Sequence, residues 1–503
     1  MPALLHDGFP EPPLVYSHGG QLDVTLKAAV GKVRFAGRSV TAMSFDGSVP
    51  GPALVFCAGD TLHVRLENDL PEATNLHMHG FHVSPEGDHD NVFLRIEPGQ
   101  DFNYEYDIPN DMPAGSYWYH PHLHMSVERQ IFGGLAGIAV EEGGLDSLPA
   151  LKAIPQRWIV LQNTEVRDGR IVGVDESTEA GDRIYVNGAF DPTARIRPGQ
   201  LQRWRIFNAS ADRFIVLRMP HGQRFLVLAE DGHTLARGRW VRDLTIAPGS
   251  RRDVLVRGGQ HGRSAVRAIP FAQFPGAQKA ADGGPVPNQS VIALDSVGAP
   301  VKALYPRGVL SHPVDLRSRH VDRERTILFD EMNEPSGAPL FTLNGMTFDP
   351  NRTDVVMKLG SVERWTLVNQ TSEWHTFHIH TNDFQVVSVA GKGVPYADYE
   401  DNVALQPHSS TVILINPTDF TGRFVFHCHV TFHEDHGMMA TVEVVKEPSA
   451  TQARASVVHD GGLAIGSTAY GSRHMPVVAP AVFFCRPRPR ARGATRRRHR
   501  SLS

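Results

Sequence analysis

The stretch YVNGAFDPTARIRPGQLQRWRIFNAS, residues 185–210, runs from a turn through a short strand, a glycine-bearing turn and an alternating strand to an asparagine. The same order recurs in VPGPALVFCAGDTLHVRLEND (49–69) and in TLNGMTFDPNRTDVVMKLGSVERWTLVNQT (342–371). A second landmark follows each copy: IEPGQDFNYEYDI (96–108), IAPGSRRDVLVRG (246–258) and LQPHSSTVILIN (405–416). Copies more than a hundred residues apart indicate one domain repeated three times rather than a solenoid. Short alternating strands punctuated by Pro and Gly, with few segments of helical period, predict an all-β chain of three Greek-key β-sandwiches. The expected boundaries are 20–145, 150–310 and 320–447, followed by a disordered basic tail over 448–503.

Composition agrees with that division. A chain of 503 residues is too long for one ordinary core, and 41% apolar with 21% charged residues describes a soluble globular protein. The net charge of -4 hides an asymmetry, because eight arginines follow Cys485 in RPRPRARGATRRRHRSLS. The body is therefore more acidic than the total, and no nucleic-acid partner is expected for it. Cys57, Cys428 and Cys485 are too few and too scattered for a disulfide framework, so the core must hold the fold. No apolar run approaches the ~20 residues that span a bilayer, and no membrane partner is expected. The opening MPALLHDGFPEPPLVYSHGG lacks a basic stretch followed by an apolar one, so no signal peptide is read there.

Histidine placement points to chemistry. Of 26 histidines, ten fall in four compact clusters: His77 and His79 in NLHMHGFH, His120 and His122 in YWYHPHLH, His375, His378 and His380 in WHTFHIH, and His427, His429 and His433 in FHCHVTFHEDHGMM. Strand side chains alternate faces, so each H-x-H pair sets two imidazoles on one face. A lone strand histidine is an ordinary surface or core residue; eight same-face imidazoles have no packing purpose, and burying them unpaired is costly. Metal binding is the economical explanation. Cys428, His375, His433 and Met438 offer a thiolate, two imidazoles and a thioether, the blue-copper ligand pattern. Zinc is the competitor there, although structural zinc prefers several cysteines; in the all-imidazole group copper, zinc or iron could sit. In a strand, His427 and His429 face one way and Cys428 the other, so two metal sites would lie on opposite sides of one strand, on the order of 10 Å apart.

The four clusters, in this order and over residues 45–447, resemble the copper-binding signatures of multicopper oxidases, the laccase-like three-domain cupredoxin proteins. The resemblance implies four copper ions. His375, Cys428, His433 and Met438 would hold the type 1 copper, and His77 and His378 the type 2 copper. His79, His120, His122, His380, His427 and His429 would hold the type 3 pair. It also implies one-electron oxidation of a small reducing substrate coupled to reduction of dioxygen to two waters. Where the family's third motif commonly has proline, this chain has Thr376. The second domain keeps the repeat but offers only Phe214 and His221 where ligands might sit, so it is expected to be a copper-free spacer. His82, His89, His124 and His436 lie off the motif spacing. The resemblance implies acidic proton donors too: Asp90 or Asp88 in SPEGDHDN, with Asp90 preferred, and Glu434 beside His433.

Without a Met-dense segment, a phenol-oxidising activity is expected ahead of cuprous or other metal-ion oxidation. Trp374 and the loop YADYED (396–401) are read as core and surface loop rather than substrate contacts. A copper-free cupredoxin scaffold is the rival class, and the filled ligand positions speak against it. Nitrite reduction would use two such domains, against three repeats here. One chain can build the whole site, so a monomer is expected. The resemblance favours a periplasmic or secreted location, whereas the start of the chain reads on its face as cytoplasmic.

Overall fold

The alternation read in the repeats is realised as strands with one face buried. In Thr61–Asp69, Leu62, Val64 and Leu66 are fully buried, while Arg65 and Asp69 face solvent. Each such apolar side chain withdrawn from water contributes roughly 1.5–3 kcal/mol. The computed structural model describes residues 4–5, 7–178, 183–274, 288–333 and 339–448, and the expected tail beyond Pro448 lies outside these described residues.

The strands form six sheets. Two of five and six strands hold the N-terminal repeat, two of six and five the middle one, and two of seven and five the C-terminal one. The repeats share a pairing scheme. Thr61–Asp69, Leu201–Asn208 and Glu363–Asn369 each lie parallel to a preceding long strand, namely Gln21–Phe35, Gln156–Thr164 and Arg323–Asn333. Each is antiparallel to the strand after the second landmark: Asp101–Asp107, Arg251–Arg257 and Ser409–Ile415. Three large apolar clusters fill the space between paired sheets, centred on residues such as Tyr104, Trp204 and Trp365. The short hairpin of Val166–Arg167 and Arg170–Ile171, within 150–310, adds to the edge of the N-terminal six-stranded sheet through Arg170 and Thr41.

The middle repeat departs from simple alternation. Leu201–Asn208 is buried on both faces, including Arg203 and Arg205. Its polar face is covered by the N-terminal sandwich instead of water. There Arg203 and Arg205 pair with Asp146 at 2.5 and 2.6 Å, and Arg203 also pairs with Asp253. A second apolar cluster closes the same junction, with Trp118 and Ile138 against Trp158 and Phe207.

Candidate metal centres

Strand pairing sets the histidines opposite one another. His77–His79 runs antiparallel to Ser116–His120, with His77 across from His120. His375–Ile379 runs antiparallel to Gly422–Cys428, with His378 across from His427 and Phe377 across from Cys428. These sheets belong to the first and last sandwiches, and their histidine edges meet. His77 stacks on His380 and His79 on His378, both with ring centroids 3.8 Å apart. His122, His380 and His429 lie just beyond the strand ends and close the group. All eight imidazoles of the H-x-H pairs are buried.

Most of the rings have one nitrogen satisfied and one that is not. His77 Nδ1 lies 2.8 Å from Asp90 Oδ2, His120 Nδ1 2.8 Å from the Pro121 carbonyl, and His378 Nδ1 2.8 Å from the Asp401 carbonyl. Among the described residues, Nε2 of His77, His120 and His378 has no hydrogen-bond partner, nor does Nδ1 of His79, His122 or His380, nor either nitrogen of His429. The Nε2 atoms of His122 and His380 approach that of His427 to 3.1 and 3.3 Å. Buried polar atoms are nearly always paired, so this many orphaned nitrogens in one buried group suit a site that takes up cations. Four groups with donor atoms within 4.8 Å of one another emerge here: His77, His79 and His120; His77, His378 and His380; His122, His380 and His427; and His79, His378 and Asp401. Burial, reinforced by neighbouring imidazoles, pushes the pKa of His77, His79, His120, His378, His380 and His429 well below the usual 6.5. Burial brings His122 and His427 down to about 4. Neutral imidazole is the form that binds a metal.

Across the Gly422–Cys428 strand lies a second set. Cys428 Sγ is 3.5 Å from His375 Nδ1 and 3.6 Å from His433 Nδ1, and the two nitrogens are 3.0 Å apart. Bonds of about 2.0 Å to nitrogen and 2.3 Å to sulfur give a trigonal set edges of about 3.5 Å, so the triangle fits one metal ion. The outer nitrogens are held: His375 Nε2 by Thr371 Oγ1 at 2.8 Å, and His433 Nε2 beside Glu373 Oε2 at 3.3 Å. The backbone closes the 428–438 loop through Cys428 N–H to the Met438 carbonyl and Met438 N–H to the His433 carbonyl, and Met438 is fully buried in the same apolar cluster. Burial pushes the Cys428 thiol up to about 12, so thiolate forms there only against a cation. Thr376 N–H points at Cys428 Sγ at 3.5 Å, a donor that proline would lack.

The acids separate clearly. Asp90 is buried, accepts from Met78 N–H at 2.9 Å as well as meeting His77, and burial raises it to about 8. Asp88, two residues earlier, has a 60% exposed side chain and lies nowhere near the histidine group. Glu434 is fully buried, with Oε2 3.0 Å from His427 Nδ1 and Oε1 3.5 Å from His122 Nε2, and burial raises it to about 7. The loop 396–401 is not a surface loop: Asp398 and Asp401 are buried, and Asp401 Oδ1 lies 3.3 Å from His79 Nε2. No spacing rule pointed to Asp401, to Glu373, or to Arg251, which grips Asp401. Among the described residues, the off-spacing histidines join none of these donor groups. His82 binds Asp419, His89 meets the Glu105 carbonyl, His124 packs on Phe348, and His436 meets the Phe432 carbonyl. In the middle sandwich, Phe214 packs on Phe271 and Trp374, and His221 sits in a short 3-10 turn. Trp374 is partly buried against the C-terminal core.

The chain is similar to known proteins. Two family models, both described as multicopper oxidase, match residues 27–143 and 317–448, the segments that carry all the clustered histidines. A multicopper oxidase of Staphylococcus aureus is 26% identical over 442 residues, covering 85% of this chain and 90% of its own length. The cell division protein FtsP of Edwardsiella tarda is 27% identical over 401 residues, covering 76% and 80%. Among solved structures, a laccase-like multicopper oxidase of Ochrobactrum sp., with oxidase activity towards lignin model compounds and lignosulfonate, superposes with a TM-score of 0.74 at 28% identity. That match covers 87% of this chain and all of the relative. With cupredoxin sandwiches at both ends and donor sets of the chemistry copper requires, the chain belongs to the multicopper oxidase family.

Proposed function

We propose that this copper-binding oxidoreductase is laccase-like: it oxidises small phenolic or similar donors one electron at a time and reduces dioxygen to water. His375, Cys428, His433 and Met438 hold a type 1 copper. His77 and His378 hold a type 2 copper, and His79, His120, His122, His380, His427 and His429 hold a type 3 pair. The observation that carries the reading is one strand end, where Cys428 faces one donor set while His427 joins the other and His429 packs against His79 and His120. Copper would supply the one-electron redox chemistry at the first set and the binding and reduction of dioxygen at the second.

The residues themselves do the rest. Asp90 holds His77 by its outer nitrogen and, at a pKa of about 8, is a buried proton source near neutral pH. Glu434 occupies the matching place beside His122 and His427 at about 7. Phe341 stacks on His433 at 4.1 Å and shields its face from water. One folded chain supplies every donor, so the proposed unit is a monomer. The middle sandwich, over 150–310, binds no copper.

Metal-ion oxidation is the second reading, and Glu373 favours it. Its carboxylate lies against the outer nitrogen of His433, and Glu331, whose carboxyl is raised by burial and then by Glu373, stands nearby. An acidic mouth attracts cations more than neutral phenols. Copper per chain, the visible spectrum, and turnover of a phenol against Cu(I) and Fe(II) decide between them. About four coppers, a red thiolate band, a near-ultraviolet shoulder and faster phenol turnover support the laccase-like reading. Turnover confined to the metal ions transfers it to the second. One copper or none, as for a scaffold, refutes both.

A further inference from the structure

The middle sandwich touches the histidine group directly. Its strand Arg251–Arg257 begins with a fully buried arginine that crosses the domain boundary. Arg251 donates from Nη1 and Nη2 to the two carboxylate oxygens of Asp401, at 2.7 and 2.5 Å, and from Nε to the Ser116 carbonyl at 2.9 Å. One side chain thus binds all three sandwiches. Asp401 in turn meets two stacked imidazoles by different atoms. Its carboxylate faces His79 Nε2 at 3.3 Å, closer than the Asn402 amide nitrogen at 3.5 Å, and its backbone carbonyl faces His378 Nδ1 at 2.8 Å. An acceptor fixes the proton on the nitrogen it faces and leaves the other nitrogen bare. The unpartnered atoms are the complementary ones, His79 Nδ1 and His378 Nε2. The same residue therefore imposes opposite tautomers on the two rings.

Space is reserved for the ion pair. A Cβ on Gly80, directly after His79, would come within 2.4 Å of both Arg251 Nη2 and Asp401 Oδ2. The turn before Arg251 is equally close: a Cβ on Gly249 would meet the His429 ring at 2.8 Å, and Pro248 accepts from Asn402 at 3.3 Å.

We infer that Arg251 is a positioning residue for the oxygen-reducing centre: it holds Asp401 as an oriented carboxylate and so sets which nitrogens His79 and His378 turn inward. The inference rests on the proposed copper assignment and gives the middle sandwich a part in the site beyond spacing. Without its arginine, Asp401 loses the two hydrogen bonds that orient its carboxyl group and is free to turn away from His79, because an uncompensated buried charge is strongly unfavourable. The loss should fall on the histidine group and spare the Cys428 set across the strand.

The test compares Arg251→Met, Arg251→Lys and Arg205→Met with the parent chain after copper loading. Arg205 is an equally buried arginine at the same domain junction, paired with Asp146 rather than with the Asp401 and histidine region. Readouts are copper per chain, the near-ultraviolet shoulder, the electron paramagnetic resonance of the type 2 copper, and the red thiolate band as internal reference. Arg251→Met should keep the red band, lose most of the shoulder, and bind copper in the histidine group about 10–100-fold more weakly. Arg251→Lys should recover part of that affinity, and Arg205→Met should resemble the parent. An Arg251→Met chain with full shoulder and copper content overturns the inference, as does an Arg205→Met chain with the same selective loss. If Arg251→Met does not accumulate, Arg251→Lys decides, and parental copper affinity in it refutes the role. A parent chain without the shoulder refutes the copper assignment instead.

Discussion

Gly115 stands where the first and middle sandwiches touch backbone to backbone. A Cβ there would lie 2.1 Å from the Gly232 carbonyl oxygen and 2.6 Å from its Cα, whereas ordinary contact begins near 3.4 Å. Its backbone is not in the left-handed region, so Gly115→Ala introduces a collision and no dihedral strain. Neither neighbour is a flexible side-chain end, and the junction must open by the 1.3 Å difference between those distances. Two buried bonds cross it beside the collision: Ser116 Oγ donates to Asp253 at 2.6 Å, and Arg251 Nε donates to the Ser116 carbonyl at 2.9 Å. Opening by that amount takes both past the ~3.2 Å limit of a sound hydrogen bond. Leaving buried partners unsatisfied costs about 1–3 kcal/mol each, or about 4 kcal/mol for the pair of bonds. At about 2–4 °C per kcal/mol, Tm falls by about 8–16 °C. Scanning calorimetry measures this against Gly31→Ala, a strand glycine whose added Cβ would meet nothing within 4 Å. A Gly115→Ala chain melting within 2 °C of about its parent's Tm would refute the steric reasoning.

Cys428→Ser should abolish the red band and drop donor oxidation to background while the near-ultraviolet shoulder persists; loss of the shoulder as well would show that the two donor sets are not separable. His82, gripped by Asp419 at 2.9 Å and by the Thr381 carbonyl, is raised from 6.5 to about 9 although burial opposes it. A raised folded pKa stabilises fully below pH 6.5 and is lost as pH climbs through 9, an effect of up to about 3 kcal/mol. His82→Asn should therefore lower Tm at pH 6 and leave it nearly unchanged at pH 10, and equal losses at both would count against the ion pair. Burial, with Asp212 next, raises Glu128 to about 10, so folded-state stability drains away as pH rises from 4.5 towards that value. Glu128→Gln, which keeps the neutral shape, should match the parent at pH 5 and melt several degrees higher at pH 9; a lower Tm at pH 9 would contradict it.

The histidine set was legible because its two-residue spacing is the period of a strand, so sequence and geometry share a ruler. Strand periodicity likewise put Cys428 on the face opposite His427. Asp88 and Asp90 are indistinguishable by that ruler. Only the folded turn tells them apart, sending one to solvent and the other to His77. Arg203 and Arg205 read as the wet face of an alternating strand, since nothing local announces that another sandwich covers them. Asp401 and Arg251 are harder still. Their significance is a contact made across 150 residues, in a loop whose composition resembles any acidic surface turn.

The order of the donors along the chain has a temporal side. Four of the eight converging imidazoles lie between residues 77 and 122, and the other four between 378 and 429. A ribosome adding about 5–20 residues per second needs roughly 13–50 s to travel from the first group to the second. Throughout that interval the growing polypeptide holds only half of the converging donors. The proposed centre is therefore complete only once the third sandwich has been made and docks on the first.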